Sequence, residues 1–125
     1  MTEEYTASKP IYMQIADKVI YRIVRKDLLP GDKLPSVREM AIQSGVNPNT
    51  IQRTYSELER MEIVETRRGQ GTFVTEERNT LNVLNEKVQY EVIEGFVKTM
   101  KDLGITKEEM IRGIEKYFSK EEGMM

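Results

Sequence analysis

The chain has 125 residues, 38% hydrophobic and 32% charged, with a net charge of -2; this suits one ordinary domain, or a small domain with an attached helical piece, and excludes two large domains. It holds no Cys and no His, which removes disulfides, thiolate or imidazole metal sites and the Ser-His and Cys-His nucleophile pairs, leaving carboxylates as the only side-chain anions for a metal. Glu3 and Glu4 precede Lys9, the wrong charge for a targeting segment, and no apolar run reaches the roughly 18 residues of a membrane span, so a cytoplasmic protein with no metal, no cofactor and no membrane partner is expected.

The first helical pattern lies in "KPIYMQIADKVIYRIVRKDLL". Pro10 suits a first helical turn, and Ile11, Ile15, Val19 and Ile23 recur at spacing four with Ala16 and Ile20 beside them. A helix of about five turns is predicted, stopped by "PGDKLP", because Pro30 cannot continue the ladder and Gly31 suits a turn. In "SVREMAIQSG", Ser36 and Glu39 have capping-box spacing and Gly45 is a suitable left-handed terminator. The second helix is therefore short, with Val37, Met40 and Ala41 inward. "VNPNTIQRTYSELERM" follows after Val46 alone, with Asn47 as cap and Pro48 at the first helical position. Two helices joined so tightly form a helix-turn-helix candidate.

The period then changes. Ile63, Val64, Thr72, Phe73 and Val74 are β-branched or aromatic and flank "RRGQG", whose glycines permit a tight reversal, so a hairpin is expected. Residues 75–79 are polar. Beyond them Leu81, Leu84, Val88, Val92, Phe96, Met100 and Leu103 recur every third or fourth residue up to Gly104. "TKEEMIRGIEKYF" opens with Thr106 and Glu109 in capping-box spacing and carries Met110, Ile111, Ile114, Tyr117 and Phe118 on one side. The expected fold class is mainly α with a small β-hairpin: a winged helix-turn-helix over residues 1–78, followed by a two-helix C-terminal dimerisation segment over residues 79–125.

Along the third helix, at 100° per residue, Thr54, Tyr55 and Leu58 lie within about 60° of Ile51 and form a buried stripe. The opposite side holds Asn49, Gln52, Arg53, Ser56 and Arg60, none acidic, with Glu57 and Glu59 on the flanks. Although the chain is acidic overall, Lys33–Ser56 and Thr66–Thr75 together carry Lys33, Arg38, Arg53, Arg67 and Arg68 against the single acid Glu39. Asn and Gln can bond adenine edges, Arg prefers guanine, and Asn47 and Thr50 can reach a phosphate beside the helix N-terminus. The hairpin tip adds Arg67, Arg68 and Gln70, with Gly69 and Gly71 leaving the backbone free to approach DNA. Lys33, Ser36 and Arg38 are placed beside the flanking phosphates. A polar face opposite an apolar stripe is ordinary for a surface helix. The conjunction of tight turn, acid-free face and basic hairpin is what points to double-stranded DNA.

The adjacent acid pairs Glu3-Glu4, Glu76-Glu77, Glu108-Glu109 and Glu121-Glu122 do not share a helix face, so they read as solvated charge and no residue is assigned a catalytic role. The methionines suit adaptable packing rather than a cofactor box. Residues 79–125 cannot close a core, so Leu84, Val88, Val92, Phe96, Met100, Met110, Ile114 and Phe118 are expected at a homodimer interface. An unidentified small-molecule effector, if one acts, is expected between subunits, because one helical hairpin hardly encloses the usual ~300–1,000 Å³.

Together, "PIYMQIADKV", "LLPGDKLPSVREMA", "GVNPNTIQRTYSELE" and "RRGQGTFV" resemble the winged helix-turn-helix of GntR-type bacterial transcription regulators. The "NPNT" start with a short helical tail resembles the YtrA-type branch. The likeness is close over roughly residues 10–75, and the tail matches mainly in length and helical character. This resemblance implies a homodimer on a palindromic operator, contacted by Arg38, Asn47, Asn49, Thr50, Gln52, Arg53 and the wing from Arg68 to Gly71. It also implies a repressor of its own operon and of a neighbouring transporter operon. The alternative is a winged-helix protein-interaction module without DNA binding; an enzyme fragment is disfavoured by length and by the lack of a nucleotide-binding glycine pattern. Two departures stand out. The family usually has Gly near Glu62, so a side chain there should cost about 1 kcal/mol or shift the helix end. Pro48 stands where other branches carry a DNA-contacting Arg, which moves base readout toward Asn49, Gln52 and Arg53.

Overall fold

The element order anticipated from apolar spacing is present in the computed structural model, which describes Tyr5 and residues 8–123. The elements are α1 (Ile11–Val24), α2 (Val37–Ser44), α3 (Pro48–Arg60), β1 (Val64–Arg67), β2 (Gly71–Val74), α4 (Arg78–Asp102) and α5 (Lys107–Gly123). The fold is mainly helical with one small antiparallel hairpin. Two compact units divide within α4, the first ending at Asn85 and the second starting at Glu86. No described helix is long and apolar enough to cross a membrane.

The first unit is built around α3. Its Ile51 and Leu58 are 0% exposed, and with Thr54 and Tyr55 they form the stripe anticipated from the 3.6-residue period. α1 packs on α3 with Ile15, Ala16, Val19, Ile20 and Ile23 buried, and α2 packs on it with Met40, Ala41 and Ser44. The Thr54 hydroxyl lies 2.9 Å from the Tyr12 carbonyl and 3.0 Å from that of Thr50, so the one polar member of the stripe is satisfied as it joins α3 to α1.

Four helices end in the same backbone motif, a left-handed residue after the helix whose amide, with the next one, returns to the last turn. After α2, Gly45 bonds Ile42 O and Val46 bonds Ala41 O; after α4, Gly104 bonds Lys101 O and Ile105 bonds Met100 O. After α1 and α3 the left-handed residue is not glycine: Lys26 has φ +68° and Glu62 φ +63°. Lys26 and Asp27 donate to Ile23 O at 3.1 Å and Arg22 O at 2.9 Å, while Glu62 and Ile63 donate to Glu59 O at 2.9 Å and Leu58 O at 3.1 Å. This corrects the length expected for the first helix. It spans 14 residues and stops at Val24, ahead of Pro30, because the turn at Lys26 lets Leu28 enter the core. At Glu62 the helix end does not shift: Ile63 lands buried beside Leu58, and the backbone carries the strain.

β1 and β2 pair from Val64↔Val74 to Arg67↔Gly71. At the tip Gln70 N donates to Arg67 O at 2.9 Å over Gly69, whose φ is +77°. The segment that the sequence marked only as a break has a second role. Leu29 to Asp32 form a turn closed by Asp32 N to Leu29 O at 3.0 Å, with Pro30 second and Gly31, at φ +82°, third. The chain leaving this turn pairs with the free edge of β2: Gly31 N to Val74 O at 2.9 Å, Val74 N to Asp32 O at 2.8 Å and Leu34 N to Thr72 O at 2.8 Å.

In the second unit α5 starts at a capping box between Thr106 and Glu109, as its spacing anticipated. Leu84 and Met110, two of the residues expected at an interface between chains, are already buried within the single chain. Leu84 lies in the part of α4 that belongs to the first unit, and Met110 in the first turn of α5. Val88, Val92, Phe96, Met100, Ile114 and Phe118 remain partly or largely exposed.

Glycine at position 62 should relieve steric strain of about 1–2 kcal/mol while adding entropy to the unfolded chain, a net gain of up to about 1 kcal/mol. Glu62→Gly is therefore expected to raise the urea midpoint, and Glu62→Ala, which keeps a Cβ, to leave it nearly unchanged. A second expectation concerns acid. Backbone and side-chain hydrogen bonds from Ser36 hold Glu39 below its ordinary 4.5, and those from Thr106 do the same for Glu109. Their stabilisation is complete above the unfolded value near 4.5 and is lost as pH falls through the lowered folded values. Urea midpoints between pH 6 and pH 3 should thus fall less steeply in the Glu39→Gln, Glu109→Gln double variant than in the parent chain.

Candidate nucleic-acid interface

Asn47 begins the surface. Its side-chain oxygen accepts from Asn49 N at 2.8 Å, which fixes the first turn of α3 and leaves the side-chain amide free to donate. Asn49, Gln52 and Arg53 are exposed along the side opposite the buried stripe, and Thr50 is half-buried. Ser36 is held likewise: its hydroxyl oxygen accepts from Glu39 N at 3.1 Å and its amide donates to the Glu39 carboxylate at 3.0 Å. The hydroxyl proton remains available. Arg38, in the first turn of α2, is exposed and has no acid within ion-pair distance among the described residues.

Both acids of α3 are engaged. Glu57 takes the Arg60 guanidinium in a two-point contact, with Arg60 Nε 3.1 Å from one carboxylate oxygen and Nη2 on the other. The Arg60 hydrogen bond holds Glu57 below the usual carboxylate range, with the charges of Arg60 and Arg53 adding to it. Glu59 accepts from Thr66 N at 3.3 Å and so ties the end of α3 to β1. The two carboxylates nearest the exposed face are thereby neutralised or turned to the wing.

The wing is fixed at its root. The Lys33 side chain lies against Gly71: a Cβ on Gly71 would come within 2.8 Å of Lys33 Cε. Gly71 has φ +121°, so a side chain there would strain the backbone as well. Lys33 and Gly71, far apart in sequence, therefore share one spot, and the chain continues from Lys33 directly to the α2 cap. Tyr55 secures that passage by donating its hydroxyl to Pro35 O at 2.6 Å. Burial, with the Glu39 charge beside it, pushes the phenol up to about 12, so the donor stays protonated near neutral pH.

Among the arginines the structure makes distinctions that the sequence did not. Arg68 is exposed at the tip beside Gly69 and Gln70 and forms no ion pair among the described residues. Arg67 lies 4.2 Å over the Phe73 ring and 3.1 Å from the Glu65 carboxylate, so part of its donor set is already used. Arg53 rests 4.1 Å over the ring of Tyr12 in α1. Tyr12 was not singled out by sequence reasoning, since nothing local pairs it with Arg53 across 41 positions; Phe73, Glu57 and Glu59 were placed on the hairpin and on the helix flanks, but their partners were not.

A groove of about 520 Å³ lies elsewhere on the first unit, lined by Ile23, Lys26, Leu28, Leu29, Arg78 and Leu81 among others. It is formed by the end of α1, the following loop and the start of α4, and so does not require a helical hairpin to enclose it.

The family model described as bacterial regulatory proteins of the gntR family matches residues 11–74. Over 117 residues the chain is 66% identical to the HTH-type transcriptional regulator YhcF of Bacillus subtilis, covering 94% of this chain and 97% of that protein. It is 47% identical over 74 residues to the HTH-type transcriptional repressor YtrA of the same organism, covering 59% of this chain and 57% of that one. Among solved structures, a GntR family transcriptional regulator from Listeria monocytogenes superposes with a TM-score of 0.85 at 43% identity, over 90% of this chain and 98% of that one.

Proposed function

From the premise that the chain belongs to the gntR family, and is a DNA-binding transcription regulator rather than an enzyme, we propose that it acts as a homodimeric repressor on a two-fold symmetric operator. The observation that supports the DNA-reading part most is the state of the α3 acids: Glu57 closed on Arg60 and Glu59 bonded to the wing leave Asn49, Gln52 and Arg53 facing outward without a free carboxylate. Asn49 and Gln52 then read adenine edges, Arg53 reads guanine, and Lys33, Ser36, Arg38, Asn47, Thr50 and the wing from Arg67 to Gly71 hold the backbone. Arg67, stacked and paired, acts mainly through the shape and charge of the wing.

The dimeric part rests on the second unit. From Val92 to Met100, α4 carries apolar side chains over an arc of about 140° at 100° per residue, too wide for a single neighbouring helix to cover. Leu103 is 69% exposed, Tyr117 63% and Phe118 53%. Apolar faces this open need cover, and a second copy of the same helices supplies it with matching apolar residues. A dimer also presents two copies of α3 to two half-sites. Repression extends to this chain what the relative named a repressor does by name; its targets, the chain's own operon and a neighbouring transporter operon, are those that the resemblance to the YtrA-type branch implies. A small-molecule effector would act on the same dimer, between subunits.

Gel-shift titrations on the chain's own upstream DNA at several salt concentrations test the base-reading assignment. Arg53→Ala should cut discrimination between operator variants by about 1–3 kcal/mol, whereas Arg68→Ala should weaken binding to all sequences alike and make the slope of log affinity against log salt shallower by about one for each phosphate no longer neutralised. Equal, sequence-independent losses from both would defeat it. For the tail, Phe96→Asp with Ile114→Asp should give monomers in analytical ultracentrifugation and lower operator affinity by about 10²-fold or more, because each half-site would then be bound singly. A parent chain that stays monomeric at micromolar concentration would rule the dimer out.

A further inference from the structure

Three arginines lie within the recognition helix and the first wing strand, and each is held differently. Arg60 gives two donors to Glu57, and Arg67 gives one to Glu65 while lying on Phe73. Arg53 forms no ion pair among the described residues and rests on a ring, its guanidinium carbon 4.1 Å from the centroid of Tyr12, with the Glu57 charge acting on it only at longer range. A stacked guanidinium uses its face. Its N–H donors point outward along the edge, and that edge is what a guanine accepts through O6 and N7.

The backbone bearing that ring is itself anchored. Tyr12 sits in the first turn of α1, half-buried, and its backbone carbonyl accepts from the Thr54 hydroxyl at 2.9 Å. Thr54 is fully buried and immediately follows Arg53. The backbone of the residue whose ring carries Arg53 is thus bonded to the neighbour of Arg53, which fixes the start of that side chain relative to α3. Glu57, the nearest acid on the helix, would compete for Arg53, but Arg60 occupies it through both carboxylate oxygens.

We infer that Tyr12 is a specificity-determining positioning residue: its ring holds Arg53 in one rotamer with the hydrogen-bonding edge free, so that base discrimination does not bear the full cost of ordering a long flexible side chain. The inference rests on the reading that Arg53 contacts a base. An exposed cation–ring contact biases a rotamer by roughly two- to fivefold, weak enough to yield to a bidentate contact and strong enough to register in specificity.

The test uses the full chain and a randomised operator library, with relative affinities measured at every base pair for the parent, Arg53→Ala, Tyr12→Phe and Tyr12→Leu. Arg53→Ala identifies the base pair that Arg53 reads. At that base pair Tyr12→Leu should lower discrimination by about two- to fivefold with little change elsewhere, Tyr12→Phe should keep it, and Tyr12→Leu should add nothing to Arg53→Ala. If Arg53→Ala alters no base preference, the base-reading assignment falls and this inference with it. If Arg53→Ala loses a preference that Tyr12→Leu keeps, or Tyr12→Leu weakens all sequences equally, only the role of Tyr12 is overturned. A measurement on the free parent protein guards against misfolded variants. The Arg53 side-chain protons should show an upfield ring-current shift by NMR, and its absence would also refute the stack.

Discussion

The wing depends on a strand that is barely a strand. A two-stranded hairpin of four residues per side is marginal by itself, and β2 gains its second partner only from residues 31–34, through the bonds of Gly31, Asp32 and Leu34 to Val74 and Thr72. The same few residues carry Lys33 against Gly71 and lead into the Ser36 cap. One stretch of backbone therefore sets where the wing stands and where α2 begins. Val74 and Ile63, at 0% and 1% exposure, then seal the hairpin root into the core, where Thr75 N bonds Ile63 O at 2.8 Å.

Charge on this surface is controlled by pairing rather than by composition. An acidic chain can present a basic face if its carboxylates are engaged where they would repel phosphate. Glu39 is turned inward onto the α2 cap, Glu57 onto Arg60, and Glu59 onto the β1 backbone. Each of these bonds also positions an element; Glu57 is neutralised by its partner's charge, while Glu39 and Glu59 are held by backbone amides. Net charge of the whole chain would have argued the wrong way.

The two units differ in how complete they are. In the first, the stripes of α1, α2 and α3 close on one another in a core, and no buried side-chain polar atom among the described residues lacks a partner. In the second, helices with sound caps and ends hold large apolar side chains in water. Caps and periodicity suffice to form a helix, but not to cover its face. That contrast is why the sequence could place α4 and α5 from capping and periodicity alone, while what covers their apolar faces is decided by packing.

Whatever depends on neighbours within about four positions was readable from the chain itself. The capping boxes at Ser36 and Thr106, the Gly45 and Gly104 terminators, the Ile51-Thr54-Tyr55-Leu58 stripe and the RRGQG reversal are all of this kind, because helix and turn energetics are short-ranged along the backbone. The exposed residues of the candidate surface followed from the same periodicity. The rest needed the folded molecule. Lys26 and Glu62 accept left-handed strain because Leu28 and Ile63 gain burial; residues 31–34 bond to the edge of β2 because it arrives beside them; and Arg53 and Tyr12 meet because α1 packs across α3. In each case the deciding energy comes from a residue distant in sequence, or from burial that exists only once the core has closed, and no local pattern encodes either.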